Sequence, residues 1–246
     1  MITKVFNAVI LIVLINASVI CKISEESTEA LMKFNKHKIF KWRYCKGANL
    51  IGPYDMPELS PVHDVEIDEV TPFHLIGNDD LQSTKSFHFY VDDYRYEGFW
   101  KNADLYLPRL RRCKNGIGPD FSMLLDMPVP QQIYNNWRNK ALTFYLQSQG
   151  LLTVPNVGWS DESSFEWAFD GIPSNSVLAV TSQGCMGKDY ICKHSFLSGM
   201  HELVRRKNPS KIYVYGIFPE QWKGRFSVPI VTLKTYSFER FGGKCG

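Results

Sequence analysis

A chain of 246 residues, 44% hydrophobic and 14% aromatic, can bury a full core as one larger domain or one domain with an added segment. That aromatic content excludes a disordered chain. With 28 basic and 25 acidic residues and a formal charge of +3, there is no dense basic run to track phosphates, so a nucleic-acid partner is not expected.

Met1 to Lys4 give a short basic start, and Val5 to Ile20 are apolar apart from Asn7, Asn16 and Ser18. This run is short for a membrane span, which needs about 20 residues, and has the length and flanks of a signal-peptide core. Residues 1–21 are expected to be a signal peptide cleaved after Cys21, with Ala17 as the second choice, giving a secreted or exported protein. The alternative is an uncleaved N-terminal anchor, the chain's one expected link to a membrane. Bulky Ile20 before Cys21 counts against a bacterial lipid anchor. Cleavage leaves Cys45, Cys113, Cys185, Cys192 and Cys245, an odd number. Disulfides Cys185–Cys192 and Cys45–Cys245 are conceivable. No pair has the spacing of a structural zinc site.

Residues 22–80 read as an N-terminal helix followed by an irregular arm. Ser24 can cap the helix, with Glu25, Glu26 and Glu29 in its first turns and Lys33, Lys36 and Lys38 later, which suits the helix dipole. From Gly47 to Asp80 the chain is rich in Pro, Gly and Asp, with one or two short strands expected near Val62 to Val70.

Residues 81–246 read as an α/β core. SFHFYVDDY predicts a strand ending at Asp92 and Asp93, followed by a helical stretch from Ala103 to Cys113 broken at Pro108. The strand GIGPDFSML comes next. The helix PVPQQIYNNWRNKALTFYLQSQG follows, with Pro130 in its first turn and Gly150 as its stop. After it come strand LLTVPNVGW, a short helix around Glu162 to Phe169, strand SVLAVTS, a helix from Ser195 to Lys207 and strand KIYVYG. Strands alternating with helices, each an apolar run, imply a parallel sheet covered on both faces. Five such strands fit an irregular or partial (β/α) barrel or an open doubly wound sheet.

In both architectures ligands bind at the carboxyl ends of the strands. The residues there are Asp92 and Asp93; Asp120, Ser122 and Asp126; Asn156, Trp159 and Asp161; Thr181 and Gln183; and Tyr215. A carboxylate hidden in such a segment is costly without a partner or a task.

The stretches HFYVDDY, GPDFSMLLDMP, QIYNNWR, QGLLTVPNVGWSD, FDGIP and VYG stand in the order and spacing of a known family. From about Asp55 to Gly216 the chain resembles the domain of unknown function 4417 family of phages, mobile elements and bacteria. The resemblance places the family's pattern on Asp92, Asp93, Pro119, Asp120, Ser122, Asp126, Pro128, Asn135, Arg138, Pro155, Trp159, Asp170 and Gly171. It implies a fold and a residue list but no reaction. The apolar leader departs from the pattern.

Two functions follow. The first is a metal-assisted hydrolase built around Asp92, Asp93, Asp120 and Ser122. Asp92, Asp93 and Asp120 would hold Mg²⁺ or Mn²⁺, which favour carboxylate oxygens. Without metal, two carboxylates would act as acid and base on a sugar bond, with Trp159 as a stacking platform. Asp126, Asn135, Arg138 and Trp159 would bind substrate, Arg138 either holding an anionic group or pairing with Asp126. Each also has a structural reading: Asp92 or Asp93 capping a turn, Asp126 capping the following helix, Arg138 in an ion pair, Asp170 in a turn. Ser122 lacks a nucleophile elbow, and His74 and His88 are further site members. The second function is a non-catalytic module of mobile-element origin that binds a small polar ligand or a partner protein. No phosphate loop, Gly-x-Gly-x-x-Gly or Cys-x-x-Cys motif is present, which argues against nucleotide cofactors and simple redox chemistry.

Overall fold

In the segments around Ser86, Asn115, Val177 and Lys211 the apolar runs form parallel strands. The structure, a computed structural model, describes residues 40–77, 84–187 and 189–235. The expected signal peptide or anchor, the helix beginning at Ser24, and Cys245 lie outside them. Contacts divide the chain into Met1–Lys46 and Gly47–Gly246. In the first unit a 3-10 turn spans Trp42–Cys45.

In the second unit a small hairpin pairs β1 (Leu50–Ile51) with β2 (Met56–Pro57). Two parallel sheets follow. One holds β3 (Val70–Pro72), β4 (Ser86–His88), β5 (Asn115–Ile117) and β6 (Thr153–Val154), and the other β7 (Val177–Thr181), β8 (Lys211–Tyr215) and β9 (Ile230–Leu233). A parallel bridge from Asn156 to Ala179 joins β6 to β7. The strand order is sequential, as in a (β/α) barrel, and lacks the reversal of a doubly wound sheet. Among the described residues no ladder joins β9 back to β3, so the barrel is partial. Residues 47–77, expected as an arm, supply β1, β2 and β3.

Alternation along β7 and β8 explains their unbroken hydrophobicity. Val177, Ala179, Tyr213 and Tyr215 face inward, with Val70, Ile117, Val154 and Leu233 from other strands, into one cluster. Leu178, Val180, Ile212 and Val214 face outward onto Phe196, Met200 and Leu203. Each such fully buried side chain contributes about 1.5–3 kcal/mol. The segment 62–67 fills the cluster from the amino end: Val62 accepts from the Val177 amide at 2.8 Å. Tyr213 Oη donates to the Val65 carbonyl and accepts from the Ile67 amide, both at 3.1 Å.

The helices are α1 (Glu97–Lys101), α2 (Leu107–Leu110), α3 (Val129–Ser148), α4 (Tyr190–Lys207) and α5 (Glu220–Lys223). Helix α3 begins where expected, but its N-cap is Pro128, and Asp126 is exposed in the preceding turn rather than capping it. Helix α4 starts earlier than the expected Ser195 because the Asp189 carboxylate caps it, accepting from the Ile191 amide at 2.8 Å. β4 and β5 end sooner than expected. The stretches after them, Phe89–Asp92 and Gly118–Pro128, are irregular and carry the candidate site. No helix among the described residues is long and apolar enough to cross a membrane.

Candidate functional site at the carboxyl ends of the strands

Irregular backbone in the interior needs partners for its N–H and C=O groups. For the segment after β5 they come from amide side chains of α3. Asn139 accepts from the Phe121 amide at 2.6 Å and donates to the Phe121 carbonyl at 3.1 Å. Asn135 donates to the Ser122 carbonyl at 2.6 Å. Gln132 donates to the carbonyls of Met127 and Leu124 at 2.8 and 3.2 Å. Three amides along one helix face thus hold residues 121–127 in place. This is why the buried face of α3 is polar where it follows Pro128.

Arg138 completes the clamp. Its Nη1 donates to Glu97 at 2.8 Å and its Nη2 to Asn135 at 2.7 Å, and its guanidinium lies 3.5 Å from the centre of the Phe121 ring. It pairs with neither Asp126 nor Asp120. Glu97, on α1, was not legible as its partner because the two are far apart in sequence.

The clamped segment presents Asp120. Tyr90 Oη donates to Asn156 Oδ1 at 2.8 Å, and Asn156 Nδ2 donates to Asp120 Oδ1 at 2.8 Å and to the Pro119 carbonyl at 3.1 Å. Tyr90 stacks on Tyr215 with ring centres 4.8 Å apart. The chain ends of β4, β5, β6 and β8 are therefore tied together around one carboxyl group. Asp120 keeps part of its surface open to the cleft, yet the surrounding protein removes enough water to push its carboxyl up to about 7. The Asn156 hydrogen bond opposes that rise, and the Asp93 charge adds to it.

The other predicted carboxylates are engaged elsewhere. Asp93 accepts from Ser122 Oγ at 3.0 Å, from the Ser122 amide at 3.2 Å and from Tyr96 Oη at 3.4 Å. Ser122 thus orients Asp93. Asp92 turns outward and pairs with Arg95 at 3.2 Å. Among the described residues no three His, Cys, Asp or Glu side chains are placed to hold a metal ion. Asp92, Asp93 and Asp120 therefore do not gather into the expected Mg²⁺ or Mn²⁺ site, because two of them already serve neighbouring groups. Asp126 stands apart from the cleft.

The cleft has two lobes that share Asp120, Ser122, Thr181 and Gln183 in their walls. One, of about 220 Å³, is mainly apolar and walled by Met123, Leu124, Val157, Trp159 and Phe196. Trp159 is fixed there by donating Nε1 to the Ser195 carbonyl at 3.0 Å, and by Gly199, whose missing side chain leaves room for the indole. The other, of about 550 Å³, is polar and includes His74, Tyr90, Asp92, Arg95 and Tyr215. His74 Nδ1 has no hydrogen-bond partner among the described residues, and burial together with the Arg95 and Arg109 charges lowers its pKa. His88 lies beneath the lobe with its ring centre 4.5 Å from that of Tyr215, and burial drives its pKa down to about 3. Cys185 and Cys192 line the apolar lobe as free thiols, and Cys45 and Cys113 are also free.

The family described as Domain of unknown function (DUF4417) matches residues 48–233. The chain belongs to this family. Of the DUF4417 positions named from the sequence, Asp92, Asp120, Ser122 and Trp159 line the cleft and Asp93, Asn135 and Arg138 belong to its clamp, whereas Asp126 lies outside both. The Gene 1 protein of Mycobacterium phage D29 is 35% identical over 129 residues, 52% of this chain and 47% of that protein. The chain thus matches about half the length of the D29 protein. The Gene 1 protein of Mycobacterium phage L5 is 30% identical over 165 residues, 66% of this chain and 71% of that protein. No solved structure matches the chain.

Sequence reasoning listed Asn156, Thr181, Gln183 and Tyr215 at the rim but missed Tyr90, which orients Asn156. Tyr90 sits in an aromatic run where every ring reads as core.

Proposed function

We propose that the cleft is the active site of a hydrolase in which Asp120 transfers the proton. The observation that carries this reading is the single partly open carboxyl at the junction of two lobes, oriented through Asn156 by Tyr90. A carboxyl poised near neutral pH suits general acid–base work. In its protonated form Asp120 gives its proton to the leaving atom as the scissile bond breaks. Water adds to the other fragment, and the surplus proton of that water restores the Asp120 carboxyl. Asn156 is a positioning residue. The donor set does not favour a metal step, since Asp92 and Asp93 are engaged by Arg95 and Ser122. Export through residues 1–21 belongs to the same proposal and rests on the apolar run from Val5 to Ile20.

The test is hydrolysis of nitrophenyl glycosides, nitrophenyl esters and bis(nitrophenyl) phosphate by wild type and Asp120→Asn. Turnover by the wild type should fall by about 100-fold or more in the variant. A wild type inactive on all three classes, or an equally active variant, would sink the proposal.

The second reading is a non-catalytic module that binds a small polar ligand or a partner protein. It is favoured by exposed apolar side chains on the loops after β3, β4, β5 and β8: Leu75, Tyr94, Leu124 and Ile217. A partner that Asp120→Asn still binds, with no turnover in any assay, is its signature.

A further inference from the structure

The two lobes differ in chemistry, and Asp120 stands in the wall of both. An apolar cavity of about 150 Å³ admits benzene, so the 220 Å³ lobe admits one compact ring or a short alkyl group. The polar lobe offers the Gln183 side-chain amide and His74 Nδ1, while Ser122 Oγ donates to Asp93, Thr181 Oγ1 donates to the Tyr215 carbonyl at 3.3 Å and Arg95 is paired with Asp92. It therefore suits an uncharged, hydroxyl-rich group better than an anion.

Gly158 stands next to the shared carboxyl. It lines the apolar lobe, and a Cβ placed on it would lie 3.8 Å from Asp120 Oδ1 and 4.0 Å from Met123 Sδ. Those are ordinary contact distances, so the backbone there tolerates a side chain. The glycine is not required by a tight approach. Its effect is to leave open the space beside the Asp120 carboxyl.

We infer that the cleft takes an amphipathic molecule laid across Asp120, with a hydroxyl-rich group in the polar lobe and a compact aromatic or aliphatic group in the apolar lobe. Gly158 is the residue that admits the second group. This rests on the hydrolase reading only in placing the scissile bond at Asp120; the binding preference stands on the shape of the cleft.

The probes are phenyl β-D-glucoside and methyl β-D-glucoside, which share the sugar and differ in the apolar group. Binding to the full chain is measured by calorimetry for wild type, Gly158→Ala and Gly158→Leu. Burial of the ring should make the phenyl compound bind about tenfold or more tightly than the methyl compound in the wild type. The preference should shrink in Gly158→Ala and vanish in Gly158→Leu. An unchanged urea-unfolding midpoint in each variant reports an intact fold. Equal binding of the two probes, binding of neither, or a preference that survives in Gly158→Leu overturns the inference. Turnover is scored separately by the Asp120→Asn comparison. Loss of the catalytic reading with the phenyl preference intact counts against Asp120 alone, and the converse against the substrate class alone.

Discussion

Replacing Asp120 with Asn should make the protein more stable at pH 8 and leave its stability nearly unchanged at pH 4. Asn keeps the size of the side chain and an oxygen to accept from Asn156. Burial pushes the folded carboxyl up to about 7 from an ordinary value of 3.8. Below pH 4 both folded and unfolded states hold the proton, and the favourable contribution of the protonated group is fully present. Between about 4 and 7 the unfolded state loses its proton while the folded state keeps it, so stability falls as pH rises. Above 7 both are ionised and the loss is complete. At about 1.4 kcal/mol per unit, the loss approaches about 4 kcal/mol. That is a large part of the about 5–15 kcal/mol that holds a domain together. The assay is urea unfolding of wild type and variant at intervals from pH 4 to 8.5. The gap between the two curves should open through this window and then stay constant. Parallel curves would refute the buried-carboxyl reasoning.

Further expectations concern the clamp and the walls. Arg138→Met removes hydrogen bonds to Glu97 and Asn135, and should cost about 2 kcal/mol in urea unfolding, since Glu97 keeps some access to water. Gly199→Ala would push a Cβ into the Trp159 indole, and should cost about 1–3 kcal/mol and speed exchange of the indole proton held by Ser195, read by NMR. Lys140 is buried with Nζ donating to Asn136 and Ala168 at 2.6 and 2.9 Å, and burial lowers its pKa to about 7. Between pH 7 and 10 the unfolded chain therefore binds the extra proton, and the wild type should gain stability relative to Lys140→Met. Urea midpoints across that range check it.

The parallel strands β7 and β8 and the helices α3 and α4 were legible because burial on two faces and helical punctuation leave strong local patterns. The barrel order was less so. β3 and β9 are short, and β3 lies in a Pro- and Asp-rich stretch that reads as irregular. Asp120 stood out as a charge in an apolar segment, and the structure places it at the centre of the cleft. The three-carboxylate cluster did not follow from the sequence, because adjacency in sequence says nothing of direction: Asp92 faces Arg95 while Asp93 faces Ser122. Asn135 was expected to bind substrate, and nothing in the sequence set Gln132 or Asn139 apart. Only the irregular segment packed on them shows why they are buried.

The most direct test of the central claim is the titration of the Asp120 side-chain carboxyl, followed by carbon-13 NMR and assigned by its absence in Asp120→Asn. A midpoint near 7 is the expected result. A midpoint in the ordinary aspartate range, near 3.8, would remove Asp120 as the proton-transferring group.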